Sequence, residues 1–111
     1  MTNVAGTYAY AAFGTIAASN PVGMPAGLYN SAATLVLDGA GNFVVDAKTS
    51  YNGVIVDEHF EGTYAVDEDC AVTFSVQGVP FVYAIFTNNR KETRGVSLIP
   101  GTNVTFLTVA R

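Results

Sequence analysis

Runs of alternating apolar and polar residues, cut at short intervals by Gly, Asn-Gly and Asp-Gly, fill this chain from Gly6 to Ala110. The tripeptide Gly-Thr-Tyr appears twice in that rhythm, at Gly6-Thr7-Tyr8 and at Gly62-Thr63-Tyr64. Alternation with period two describes a half-buried strand. No apolar stripe with the 3.6-residue period of a helix persists anywhere. Links this short join antiparallel neighbours, because a parallel pair needs a crossover of a dozen or more residues.

Eight strands follow from the punctuation: Gly6–Ile16, Ala32–Leu37, Phe43–Ser50, Val54–Val66, Ala71–Gln77, Val79–Thr87, Thr93–Ile99 and Asn103–Ala110. Asp38-Gly39-Ala40-Gly41-Asn42 and Tyr51-Asn52-Gly53 are hairpin turns, since Asn, Asp and Gly tolerate positive φ. Asp67-Glu68-Asp69, Gly78, Asn88-Asn89-Arg90-Lys91 and Pro100-Gly101 make the remaining short links. Gly62, inside the long fourth strand, marks a barrel corner or bulge. The expected fold is all-β, one domain over residues 1–111, an eight-stranded antiparallel up-and-down β-barrel, because closure removes exposed edges. A two-sheet sandwich is the alternative. The segment Ala17–Asn30 is longer than a hairpin requires, which is common for functional loops. Its Val22, Met24, Leu28 and Tyr29 would either lid one mouth of the barrel or plug it.

Composition narrows the function classes. The chain has 111 residues, half of them hydrophobic, with thirteen Phe and Tyr, five basic residues and a net charge of −4. Nucleic-acid binding relies on many phosphate-neutralising cations, so no nucleic-acid partner is expected. No apolar run approaches the roughly 20 residues of a spanning helix, so no membrane partner is expected either. A single cysteine, Cys70, excludes a disulfide framework. Met1-Thr2-Asn3-Val4 lacks the charged and apolar regions of a signal peptide. The expected location is therefore cytoplasmic, with a signal peptide removed and replaced by Met1 as the alternative.

Strand parity then sorts the side chains. Phe43, Val45, Ala47 and Thr49 share one face of the third strand, opposite Asp46 and Lys48, and go inside. The even positions of the fourth, Val54 through Phe60 to Val66, are the apolar set, with Glu58 as the one anomaly. Val72, Phe74 and Val76 point in from the fifth. The sixth is apolar on both faces: Phe81, Tyr83 and Ile85 on one, Val82, Ala84 and Phe86 on the other. A wall apolar on both sides needs an outer cover, and a second copy of the chain is the economical one. A homo-oligomer, specifically a dimer, is the expectation. Ala12 and Gly14 beside Tyr8, Tyr10 and Ile16 favour interior room, and an eight-stranded barrel either fills with side chains or holds one small ligand.

Glu58 is the leading chemical candidate, because a carboxyl desolvated in an apolar lumen has its pKa raised toward general acid–base duty. The plain alternative turns it to solvent or pairs it with Arg94. His59, the only histidine, sits on the polar face with Asp57 and Glu61 and reads as solvated. A one-residue slip would instead bring an acid–His–acid row inside. A metal site from those three lacks a second histidine, so neither metal nor cofactor is expected. Tyr8 and Tyr64 join Glu58 and His59 as candidate catalytic groups. Tyr10, Met24, Leu28, Tyr29, Phe43, Phe60, Phe74 and Tyr83 are the candidate ligand contacts. For the tyrosines the alternative is a core position with the hydroxyl satisfied by backbone.

The motifs Gly6-Thr7-Tyr8, Leu37-Asp38-Gly39-Ala40-Gly41-Asn42 and Gly62-Thr63-Tyr64-Ala65-Val66 running to Asp69-Cys70 resemble those of small bacterial β-barrels of the calycin and allene-oxide-cyclase-like type. They cover roughly the first two-thirds of the chain, on the strand count above. They are turn and barrel signatures, and no catalytic residue of the cyclases maps onto a position here. The resemblance implies a lipocalin-like interior of ligand size and, in some relatives, cyclase, isomerase or lyase-type chemistry on an apolar or aromatic molecule. A non-catalytic carrier or sensor, and a filled barrel serving as an interaction module, are the alternatives.

Overall fold

A computed structural model describes residues 4–21, 23–87 and 91–111. Val22 and Asn88–Arg90, expected in a loop and a turn, lie outside the described residues. Eight strands run in order: β1 (Gly6–Ile16), β2 (Gly27–Leu37), β3 (Asn42–Tyr51), β4 (Val54–Val66), β5 (Ala71–Val76), β6 (Val79–Thr87), β7 (Glu92–Ser97) and β8 (Thr102–Ala110). Each pairs antiparallel with its neighbours, and β8 returns to β1, so the sheet closes as an up-and-down barrel. The described residues contain no helix.

Local chemistry sets the corners. Asn52 and Gly53 hold φ of 51° and 94°, and Gln77 and Gly78 hold 52° and 81°. Positive φ at both central residues is the two-residue hairpin turn whose twist matches that of the flanking strands. Gln77, expected as the end of the fifth strand, is thus the first corner residue of that turn. At Asp38 the carboxylate accepts hydrogen bonds from the Ala40 and Asn42 amides at 2.7 and 3.0 Å, closing the β2–β3 link. Asp67 accepts from the Asp69 and Ala71 amides in the same way. The acidic turn between β4 and β5 is therefore a side-chain-closed corner.

Two departures from regularity shape the interior. The first is a register shift at β5–β6: Phe74 pairs with Val82 but Ser75 pairs with Pro80, leaving Phe81 as the extra residue of a β-bulge. A bulge places two consecutive residues on one side of the strand. Phe81 and Val82 both pack on the core, followed by Ala84 and Phe86, while Tyr83 and Ile85 turn outward. That single extra residue moves Phe81 to the inner set, and Tyr83 and Ile85 remain as the apolar outer face of the sixth strand.

The second departure is the length of β5. This strand meets β4 only over Thr63–Val66. The preceding part of β4, Val54 to Gly62, has β3 as its only ladder partner. The barrel closes around its whole circumference but not over its whole height, and a notch opens between β4 and the β5–β6 hairpin. Inward side chains along β4 from Val56 to Val66 are half-buried, and Val54, expected among them, is exposed, whereas Phe43, Val45, Ala47 and Thr49 of β3 are buried. At the closed section Gly62 is required. A Cβ there would stand 2.2 Å from the Ser75 carbonyl oxygen and 2.7 Å from the Phe43 ring.

The core is aromatic. Phe43, 1% exposed, meets Phe60, Phe74 and Phe81 with ring centroids 6.2, 5.3 and 6.1 Å away. The contacts with Phe60 and Phe74 are edge-on, a favoured arrangement of aromatic quadrupoles, and that with Phe81 is tilted. The end formed by the chain terminus is plugged by Val4, 2% exposed. The outer wall is asymmetric. Asp46, Lys48, Asp57, His59 and Glu61 project from β3 and β4, with Lys48 and Asp57 paired at 3.1 Å. Exposed Phe13, Tyr83, Ile85, Val96 and Val109 project from β1, β6, β7 and β8.

Candidate functional site

The residues singled out from sequence divide into four groups. Phe43 and Phe74 lie at the middle of the lumen, in the aromatic core just described. Only about 40 Å³ remains there, lined almost wholly by apolar atoms. A water needs polar partners as well as room, so this section of the barrel is a packed core.

Tyr8 and Tyr64 lie toward the plugged end. The Tyr8 hydroxyl donates to the Val4 carbonyl at 2.8 Å, and the Tyr64 hydroxyl oxygen accepts from the Gly39 amide at 3.0 Å. Both hydroxyls fasten the barrel's own backbone. Neither lines the cavity that holds Glu58, which corrects their expected place beside it.

His59, Leu28 and Tyr83 face outward. His59 donates or accepts at both ring nitrogens, with Asp46 at 2.6 Å and Glu61 at 3.1 Å, in full solvent. The register of β4 keeps it there, because Asp46 and His59 are directly paired residues on the outer face of the β3–β4 ladder. The solvated reading is the one the register selects, and Asp46 takes the position assigned to Asp57. The hydrogen bond to Asp46, then that to Glu61, then the charges of both carboxylates hold the imidazole above its ordinary pKa. Leu28, 64% exposed, is in β2 rather than in the loop, and parity there buries Tyr29 and Ser31 instead. Tyr83 is turned out by the bulge. Among the described residues no group of His, Cys, Asp and Glu is arranged to hold a metal ion.

The fourth group comes together. Glu58, Tyr10, Tyr29, Phe60 and Met24 line one cavity of about 130 Å³ at the end of the barrel under the long loop. Glu58 projects inward from the part of β4 that pairs only with β3, opposite Ala47, whose small side chain leaves it room. One carboxylate oxygen accepts from the Thr49 hydroxyl and the other from the Tyr51 hydroxyl, each at 2.7 Å. Since Thr49 has one proton and gives it to Glu58, the 3.0 Å contact with Ser31 must be donated by Ser31. Arg94, the alternative partner, bonds to Glu92 at 3.1 Å instead.

Rings enclose the rest. Tyr29 meets Tyr51 edge-on at 5.5 Å, and Tyr10 meets Phe106 at 6.0 Å. Tyr10, Phe60, Phe81 and Phe106 line both this cavity and the 40 Å³ space below, so they form the floor between the two. Met24 covers the cavity from the loop, which is shorter than expected because β2 begins at Gly27. Its position is fixed by Asn20, 9% exposed, whose amide donates to the Ala17 and Met24 carbonyls and accepts from the Met24 amide.

The phenols carry shifted acidities. Burial chiefly, then Tyr29 and Glu58 nearby, hold Tyr10 far above the usual phenol value. Burial and then the Glu58 charge raise Tyr29. Burial and then the hydrogen bond to Glu58 raise Tyr51. All three stay protonated across the physiological range and serve as hydrogen-bond donors, not as bases.

Thr49 is expected on the inward face but not as a partner of Glu58, and Tyr51 and Ser31 lie outside the strands expected from sequence, one in a turn and the other just before the second strand. Extending the parity of Phe43, Val45, Ala47 and Thr49 by one step reaches Tyr51. Extending Ala33, Leu35 and Leu37 backward reaches Ser31 and Tyr29. No family model matches this chain, and no curated protein matches it in sequence. The cavity is the ground on which function can be argued.

Proposed function

We propose that this barrel binds a small molecule of about one ring in size, in the cavity between Met24 and the Tyr10–Phe106 floor. The observation that carries this is the pairing of about 130 Å³ of aromatic-lined space with one oriented carboxylate. An apolar cavity of about 150 Å³ accommodates benzene, which sets the scale. Apolar walls with a few convergent polar groups are the usual make-up of a small-molecule site. The notch beside β4 is the way in, since β5 pairs with β4 only from Thr63 onward and stops short of Glu58 and Phe60.

Binding without conversion is the reading favoured here. Isomerisation or lyase-type conversion by proton transfer needs a positioned base. The three phenols are held protonated, so Glu58 alone would have to supply it. The likeness to calycin and allene-oxide-cyclase-like barrels rests on fold features, and a fold hosts many functions. The test is a cavity-filling variant. Met24→Trp should abolish uptake of one-ring aromatics seen by native mass spectrometry, while leaving the circular dichroism of the barrel unchanged. Uptake undiminished by Met24→Trp would remove the site from this cavity.

We also propose that the apolar outer wall docks a second copy of the chain. In the register, Tyr83 stands beside Val96, Val96 beside Thr105, and Thr105 beside Phe13, one row across four strands. Ile85 and Val109 are exposed in neighbouring rows of the same wall, where their β7 partners are Arg94 and Glu92. A stable interface takes roughly 800 Å² from each partner, a modest part of the 6155 Å² surface. The charged wall of β3 and β4 favours water over lipid, since charges facing a bilayer are costly, and neither wall has the dense cation array that nucleic acid recognises.

A further inference from the structure

We infer that the ligand of the Glu58 cavity carries a positive charge: a small organic ammonium, with the ammonium at Glu58 and its apolar body among the rings. This rests on the small-molecule reading above and adds the chemical class.

Charge balance comes first. Among the described residues Glu58 is the only ionisable acid or base lining the cavity apart from the phenols, and none of those lining it is Lys, Arg or His. Both of its oxygens are already engaged as acceptors, by Thr49 and Tyr51. A carboxylate has about four lone-pair sites, so two hydroxyls leave further capacity, and that capacity attracts a donor. A neutral donor would satisfy it. A cation would satisfy it and also offset the buried charge, which a half-buried carboxylate without a basic partner otherwise leaves uncompensated.

The walls point the same way. Tyr10, Tyr29, Tyr51, Phe60, Phe81 and Phe106 surround a volume only one ring wide. Whatever occupies it lies near several aromatic rings at once, and a cation over a ring face within about 6 Å of its centroid is attracted by the quadrupole. The Met24 thioether adds a polarisable cover. An anionic ligand would meet Glu58 with like charge, and nothing in the lining would compensate. Aromatic rings around one oriented acid, without any base, is the arrangement that selects an ammonium.

Three probes of equal size separate the possibilities: benzylammonium, benzyl alcohol and benzoate at neutral pH. Binding is followed by calorimetry and by the NMR signal of the Met24 methyl group. The expected result is that benzylammonium binds at least about tenfold more tightly than benzyl alcohol, the factor a charge-assisted hydrogen bond supplies. It should shift the Met24 signal, and benzoate should not. Glu58→Gln should bring benzylammonium down to the alcohol's affinity and leave the alcohol unchanged. If circular dichroism shows Glu58→Gln unfolded, Glu58→Asp takes its place, keeping the charge but withdrawing it, with a smaller loss of the same sign. Benzyl alcohol binding as well as benzylammonium, or an ammonium preference that survives Glu58→Gln, would overturn the cationic class and leave the cavity reading standing. Failure of all three probes to move Met24 would overturn both.

Discussion

At the scale of single residues, position on the pleat decides what a titratable group can do. Glu58 and His59 are adjacent in sequence, yet one meets hydroxyls inside the barrel and the other meets carboxylates in water. For His59 the consequence is measurable. Its imidazolium is favoured by Asp46 and then Glu61, so an NMR titration should place its pKa above the ordinary value of about 6.5. Asp46→Asn should return it most of the way, and Glu61→Gln less. The linked stability has a definite sign. A folded-state pKa above the unfolded one gives a contribution present below about pH 6.5 and lost as pH rises through the raised value. Because the group is fully exposed, added salt should weaken it.

At the scale of elements, the two irregular strands do more for the site than the regular ones. The bulge at Phe81 puts an extra ring into the lumen and sends Tyr83 out to the apolar wall. The shortness of β5 opens the notch beside Glu58. Gly62 lies where the open part of β4 meets the closed part, with the Ser75 carbonyl and the Phe43 ring against its missing side chain. Gly62→Ala should therefore cost about 2–3 kcal/mol, the upper part of the range for overpacking, read as a lower urea midpoint at unchanged slope. Stability equal to the parent would mean that β5 can move away from β4 cheaply.

For the whole molecule, the lumen is a packed aromatic core with a small cavity set at one end. Phe60 belongs to the floor between them. Phe60→Ala should merge the two spaces, admit a larger ligand, and destabilise by about 3 kcal/mol, the low end for Phe truncation because Phe60 is only half-buried. The phenol cluster sets an alkaline limit. Tyr10, Tyr29 and Tyr51 have folded-state pKa values above the unfolded value of about 10. The unfolded chain thus releases protons first, and stability should fall as pH rises beyond about 10. Phenolate absorbance should appear together with unfolding for these residues, not ahead of it. The outer wall carries its own prediction: sedimentation should give twice the 11.6 kDa chain mass, and Ile85→Lys should return the monomer.

The barrel itself was legible in the chain, because period-two alternation and turn chemistry are local. β1, β4 and β6 begin and end where Gly, Pro, Asn and Asp punctuation places them. Parity of β3 and β4 likewise assigned Phe43, Glu58 and Phe60 to the lumen. What the chain could not reveal alone depends on pairing between distant strands. The bulge at Phe81 shows only against β5, and the notch only in how far β5 runs along β4. That Tyr8 and Tyr64 serve one end while Tyr10, Tyr29 and Tyr51 gather at the other follows from height along the barrel axis, which strand alternation does not encode. Local sequence determines which side of the wall a residue occupies; tertiary register decides which of its lumen neighbours it touches, and that contact is where the chemistry of Glu58 arises.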